Sequence, residues 1–121
     1  IPLIHGLDHT LKKIFEEGVE TRHNRHAELN QMVRNWVAEK GFELLPEEQF
    51  ASKSLTCVKN NLEIDVGGFV NVLREEKKLS IDGGYGKIKG KTFRMSNMGD
   101  ETRETITHLL GQMDEALTNF L

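Results

Sequence analysis

Few residues of this chain could do chemistry, and the one whose setting says most is an arginine. Arg94 lies in the stretch from Leu79 to Gly99. A short apolar run, Leu79 to Ile81, leads into a loop with glycines at 83, 84, 86 and 90, and a second run climbs out through Thr92, Phe93, Arg94 and Met95. Successive strand side chains point to opposite faces. If Phe93 and Met95 enter a core, Arg94 leaves the other face, carried on a rigid element beside a flexible loop. A guanidinium held that way suits bidentate capture of a carboxylate or phosphate. The alternative is a strand arginine satisfied by a surface carboxylate.

Other candidates carry less. His5 and His9 are four apart on a helical pattern and His23 and His26 three apart, but neither pair has a cysteine or carboxylate third ligand at a fitting position. His23 and His26 fall in Arg22-His23-Asn24-Arg25-His26, which reads as a solvated helix face, so no metal site is expected. Gly84-x-Gly86-x-x-x-Gly90 is not the dinucleotide fingerprint, and it leads into a strand rather than a helix N-terminus. Lys89-Gly90-Lys91-Thr92-Phe93 faintly matches the central strand of RNA-recognition domains, but the stacking aromatics are mostly absent. No nucleophile stands beside a recognisable base.

The elements that must position Arg94 follow from periodicity. Pro2 suits the first turn of a helix, and Leu3, Leu7, Leu11, Ile14 and Phe15 recur at helical spacing up to Gly18. A second helix runs from about Val19 to Lys40, stopped by Gly41. Whether Gly18 kinks one helix or separates two is open at this level. Short strands follow at Phe42 to Leu45 and Ser54 to Lys59. Asp65 caps a helix to about Lys77, and strands return at Leu79 to Ile81 and Lys91 to Met95. Asp100 caps a last helix with Ile106, Leu109, Leu110, Met113, Leu117 and Phe120 on one face. This order predicts an α+β fold, a largely antiparallel sheet of about four strands with helices packed on one face and Arg94 on the other. Residues 1–18 read as a linker or docking helix toward a missing domain, and residues 19–121 as the domain proper.

Composition narrows the classes. The 121 residues carry 16 Lys and Arg against 19 Asp and Glu, a net charge of -3, which speaks against a nucleic-acid footprint. A single cysteine, Cys57, rules out an internal disulfide; in its alternating run it reads as a small core residue, and it fits a reducing compartment. No apolar run approaches the roughly 20 residues a membrane span needs, so a soluble, cytoplasmic protein is expected. The chain begins Ile1-Pro2 without methionine, directly in a helical pattern, as a piece of something longer would.

The run Gly83-Gly84-Tyr85-Gly86-Lys87-Ile88-Lys89-Gly90-Lys91-Thr92-Phe93-Arg94-Met95-Ser96-Asn97-Met98-Gly99 resembles the C-terminal signature of class V pyridoxal-phosphate aminotransferases. Within them it is most similar to the alanine–glyoxylate and serine–pyruvate branch, including proteins described as soluble hydrogenase small subunits. The family segment runs roughly Gly-Gly-x-Gly-x-x-Lys-Gly-Lys-x-Phe-Arg-Ile-Gly-His-Met-Gly. Ile14 to Gly18, the Arg25-His26 pair and Leu62 to Val66 agree as well, so the resemblance covers essentially the whole chain.

The resemblance implies the C-terminal small domain of a fold-type I aminotransferase, joined to a large domain of the same chain and working as a homodimer on a small amino acid and a 2-oxo acid. It implies that Arg94 grips the substrate α-carboxylate, supported by Gly83, Gly84, Gly86, Ser96 and Asn97. It implies pyridoxal phosphate in the full-length enzyme, with the Schiff-base lysine in the large domain. None of Lys87, Lys89 or Lys91 is expected to hold the cofactor, and the fragment alone is expected to bind none and to be inactive. Ser96-Asn97 departs from the family's Gly-His. If the family glycine has positive φ, Ser96 carries strain of about 1–3 kcal/mol. A stand-alone α+β module binding a small carboxylate or a protein partner is the competing reading.

Overall fold

A computed structural model describes residues 1–121. The chain folds as α1 (Pro2–Glu17), α2 (Val19–Glu39), β1 (Glu43–Leu44), β2 (Leu55–Lys59), α3 (Val66–Glu75), β3 (Thr92–Ser96) and α4 (Arg103–Leu117). The sheet has three strands in the order β1-β2-β3, antiparallel throughout. No helix is long and apolar enough to cross a membrane.

The expected strand at Leu79 to Ile81 does not form, so the sheet has three strands and not four. Only Asp82 meets β3, as an isolated bridge to Arg94. The start of the segment is held instead to the end of α3, where Lys78 turns at φ 58 and the Leu79 N–H donates to the Leu73 carbonyl at 2.9 Å.

Gly18 separates two helices. Its φ of 93 ends α1, while its N–H still closes the last turn on the Ile14 carbonyl at 2.9 Å. For α3, the Asp65 carboxylate accepts the Gly68 N–H at 3.1 Å, which offsets the cost of two glycines in the first turn.

Asp100 does not cap α4. Its carboxylate lies 2.7 Å from Lys13 Nζ, and this ion pair draws it away from the helix end. Thr102 takes the place in a reciprocal capping box with Thr105: Thr102 Oγ1 accepts the Thr105 N–H, and Thr105 Oγ1 accepts the Thr102 N–H.

The core joins α2, α3 and α4 to β2 and β3. Phe93 of β3 meets Phe42 edge-on at 5.2 Å and Phe69 of α3 at 5.6 Å, and Trp36 of α2 stacks at 6.2 Å on Phe42. The Trp36 indole N–H donates to Asp114 Oδ1 at 2.7 Å, tying α2 to α4. The face of α1 bearing Leu3, Leu7, Leu11 and Phe15 is exposed, and no residue of that helix is buried.

Candidate functional site

Register decides where Arg94 points. Val58 pairs with Phe93 and Thr56 with Met95, all four buried on the core face; Cys57 pairs with Arg94 on the other face, where both are half-buried. Burial of the Cys57 thiol pushes its pKa up, so it stays protonated at neutral pH and is a poor nucleophile.

Arg94 is held on three sides. Its backbone exchanges two hydrogen bonds with Asp82: the Arg94 N–H donates to the Asp82 carbonyl at 2.7 Å, and the Asp82 N–H donates back at 3.2 Å. Arg94 Nη2 donates to Asp82 Oδ2. The Tyr85 ring lies 5.1 Å from the guanidinium carbon, in cation–π contact. Arg94 Nε is buried and has no hydrogen-bond partner.

Asp82 is itself anchored, since its Oδ1 accepts the Gly84 N–H at 2.9 Å. Around this pair opens a cleft of about 520 Å³, lined by Leu55, Val70, Arg74, Ile81, Tyr85 and Ser96 among others.

Of the expected supporting residues, Gly83 lines the cleft and Ser96 stands at its edge. Gly84 turns the loop, and a Cβ there would lie 2.6 Å from Thr92 Oγ1 and 3.2 Å from the Ile88 carbonyl. Gly86 has φ 57 and open space around it. Ser96 is an ordinary strand residue without positive φ, so the strain foreseen for it does not arise.

Asn97 turns away from the cleft. It is wholly buried, and its Nδ2 donates to the His26 and Lys53 carbonyls, each at 3.0 Å. Reasoning from sequence missed Asp82, Tyr85 and Arg74 as neighbours of Arg94. Asp82-Gly83-Gly84 was a visible signal, because an aspartate before glycines commonly closes a turn on its own backbone.

Arg25 braces the scaffold. Its guanidinium donates to both Glu17 oxygens at 2.9 and 3.0 Å and to the carbonyls of Gly99 and Glu101. That fixes α1 and α2 to the turn that follows β3, and the Arg25 hydrogen bond holds the Glu17 carboxyl below its ordinary pKa. Neither histidine pair belongs to a group of three or more His, Cys, Asp or Glu side chains that could hold a metal ion.

No protein-family model matches the chain. Individual relatives do. A serine–glyoxylate aminotransferase of Arabidopsis thaliana is 34% identical over 101 residues, 83% of this chain and 25% of that protein. An uncharacterized aminotransferase of Methanocaldococcus jannaschii is 30% identical over 99 residues, 82% of this chain and 26% of that protein.

Among solved structures, a ureidoglycine–glyoxylate aminotransferase from Bacillus subtilis superposes with a TM-score of 0.84 at 25% identity, over 89% of this chain and 28% of that one. A pyridoxamine–pyruvate aminotransferase from Mesorhizobium loti reaches 0.87 at 24% identity, over 96% and 30%, a likeness of fold. The fold is therefore that of an aminotransferase small domain. The chain is a homologue of the alanine/serine–glyoxylate aminotransferases and related enzymes, and it spans about a quarter of the length of the relatives it matches.

That family implies pyridoxal phosphate. The residues around Arg94 do not by themselves make a site for it. No lysine lines the Arg94 cleft. Lys87, Lys89 and Lys91 are all exposed on or beside the glycine loop, where an imine would stand open to water. The only carboxylate in the cleft, Asp82, is engaged by Arg94 and Gly84.

Proposed function

We propose that this chain is the carboxylate-binding C-terminal domain of a cytoplasmic, dimeric pyridoxal-phosphate aminotransferase that acts on a small amino acid and a 2-oxo acid. The cofactor and its lysine would be supplied by residues outside these 121. The observation that carries the reading is Arg94: a guanidinium on a sheet strand, facing a cleft beside a glycine loop, in a segment homologous to aminotransferases.

The chemistry suits the role. Backbone pairing with Asp82 and the cover of Tyr85 limit the rotamers of Arg94, so little freedom is lost when a carboxylate binds. A carboxylate fixed at one end orients the α-carbon, and orientation is a large part of what an enzyme can supply. The exposed Leu3, Leu7, Leu11 and Phe15 face would dock on the rest of the protein, with Arg25 transmitting the position of α1 to the turn after β3.

The test is Arg94→Ala in the protein as its source makes it. One charge-assisted hydrogen-bonding group contributes about 1.5–3 kcal/mol, so KM for the amino acid should rise by about 10- to 150-fold. Cofactor content should not change. A KM equal to that of the unaltered enzyme would refute the role.

A second reading has one observation in its favour. The guanidinium already has a carboxylate partner in Asp82, as a purely structural arginine would.

A further inference from the structure

Asp82 occupies the place on Arg94 that a ligand carboxylate would seek. The two residues form a cross-strand pair whose backbones exchange both hydrogen bonds, so their side chains rise side by side from the same face. The Asp82 carboxylate is divided: Oδ1 is fixed by the Gly84 N–H, and Oδ2 accepts from Arg94 Nη2. The guanidinium is left with a buried, unpartnered Nε–H.

Arginine–carboxylate pairs frequently engage the fork on two donors, which fixes their geometry as well as their charge. Here one terminal nitrogen is taken, one donor is orphaned, and both side chains still reach the cleft, 25% exposed for Arg94 and 38% for Asp82. A carboxylate arriving at Arg94 therefore meets a guanidinium already neutralised by a neighbour of the same sign as itself.

We propose that Asp82 is a resident competitor for Arg94, a residue that sets how tightly and how selectively the cleft holds a ligand carboxylate. The inference rests on the reading of Arg94 as the substrate-carboxylate contact. In the empty cleft Asp82 keeps the guanidinium aimed and its charge compensated. When a carboxylate binds, the Asp82 side chain gives up Arg94 Nη2 while its backbone bridge stays in place, so the exchange needs only a side-chain rotation.

The cost of that exchange is a filter. A group that offers Arg94 two acceptor oxygens recovers the lost hydrogen bond and adds a second, whereas a neutral carbonyl or hydroxyl does not. Asp82 thus weakens binding of every carboxylate, and it weakens binding of uncharged look-alikes more.

The experiment uses the protein as its source makes it, with pyruvate as the probe, titrated calorimetrically and in steady-state kinetics. Asp82→Asn removes the charge and keeps an oxygen to accept the Gly84 N–H. Asp82→Ser does the same with a shorter side chain and stands in if the asparagine variant folds poorly. Because the displaced contact is a single charge-assisted hydrogen bond at a partly exposed site, each variant should bind pyruvate about tenfold more tightly. KM should fall with it and kcat change little, and the gain should vanish in the Asp82→Asn/Arg94→Ala double variant.

Unchanged or weaker pyruvate binding in both Asp82 variants, with Arg94→Ala still impaired, would overturn the competitor role and leave the Arg94 reading standing. Unaltered pyruvate binding in Arg94→Ala would overturn both.

Discussion

Asn97 makes a demanding test of the packing account, because its side-chain Nδ2 and its backbone N–H together donate three hydrogen bonds within a few ångströms. Nδ2 donates to the His26 carbonyl of α2 and to the Lys53 carbonyl ahead of β2, both at 3.0 Å, and the Asn97 N–H donates to the Ser54 carbonyl at 3.0 Å. The residue directly follows β3, so this network fixes the end of the strand that carries Arg94.

Asn97→Ala leaves two carbonyls without their donor and opens a small cavity at a position of 0% exposure. Each unsatisfied buried group costs about 1–3 kcal/mol; both bonds are only partly buried, so the two carbonyls at the low end come to about 2 kcal/mol, and the cavity brings the expected loss to about 3 kcal/mol in all. For a chain of this size that corresponds to a fall in Tm of about 12 °C. Urea unfolding can be followed through Trp36, the single tryptophan, which lies 4% exposed in the core. The midpoint should drop with the slope unchanged. Ser96→Ala, one residue earlier and exposed, should shift stability by no more than about 0.5 kcal/mol. A shift for Asn97→Ala as small as that would refute the reasoning.

Two further outcomes follow from the loop and from the helix junction. Gly84→Ala must hold a side chain at φ 86 with its Cβ 2.6 Å from Thr92 Oγ1, so it should cost more than about 2 kcal/mol, whereas Gly86→Ala, with open space around it, should cost about 1 kcal/mol; equal effects in thermal unfolding would contradict the loop geometry. Arg25 lowers the pKa of Glu17, so the stabilisation is present above the ordinary glutamate pKa and is lost as pH falls through the lowered value. The protection factor of the amides around Gly18, taken against the intrinsic exchange rate at each pH, should therefore fall as the pH drops below the ordinary glutamate value. Glu17→Gln should remove that dependence, and a pH-independent protection factor in the unaltered protein would count against the brace.

Much of this was legible in the amino-acid order. Alternation along Thr92 to Met95 was enough to put Arg94 opposite Phe93 and Met95, because a strand has only two faces. The helix start at Asp65 was readable from local backbone chemistry, whereas Gly18 left open whether it kinks one helix or separates two. What escaped was decided at a distance. Asp100 looked like a helix cap, but Lys13, 87 residues earlier, claims its carboxylate. Leu79 to Ile81 looked like a strand, but its start is tied back to α3 through the Leu79 N–H and the Leu73 carbonyl. Asp82 meets Arg94 only because the loop of residues 83–91 closes between them, a geometry that no spacing rule predicts. Asn97 was visible as a departure from the family motif, yet its buried partners come from α2 and from the segment before β2.

The central claim is that these residues grip the substrate of an aminotransferase whose cofactor is held elsewhere in the protein. The most direct measurement takes the protein as its source makes it, loads it with pyridoxal phosphate, reduces it with borohydride and maps the labelled peptide by mass. The account predicts a single adduct on a lysine outside residues 1–121. An adduct on Lys87, Lys89 or Lys91, or none at all, would contradict it.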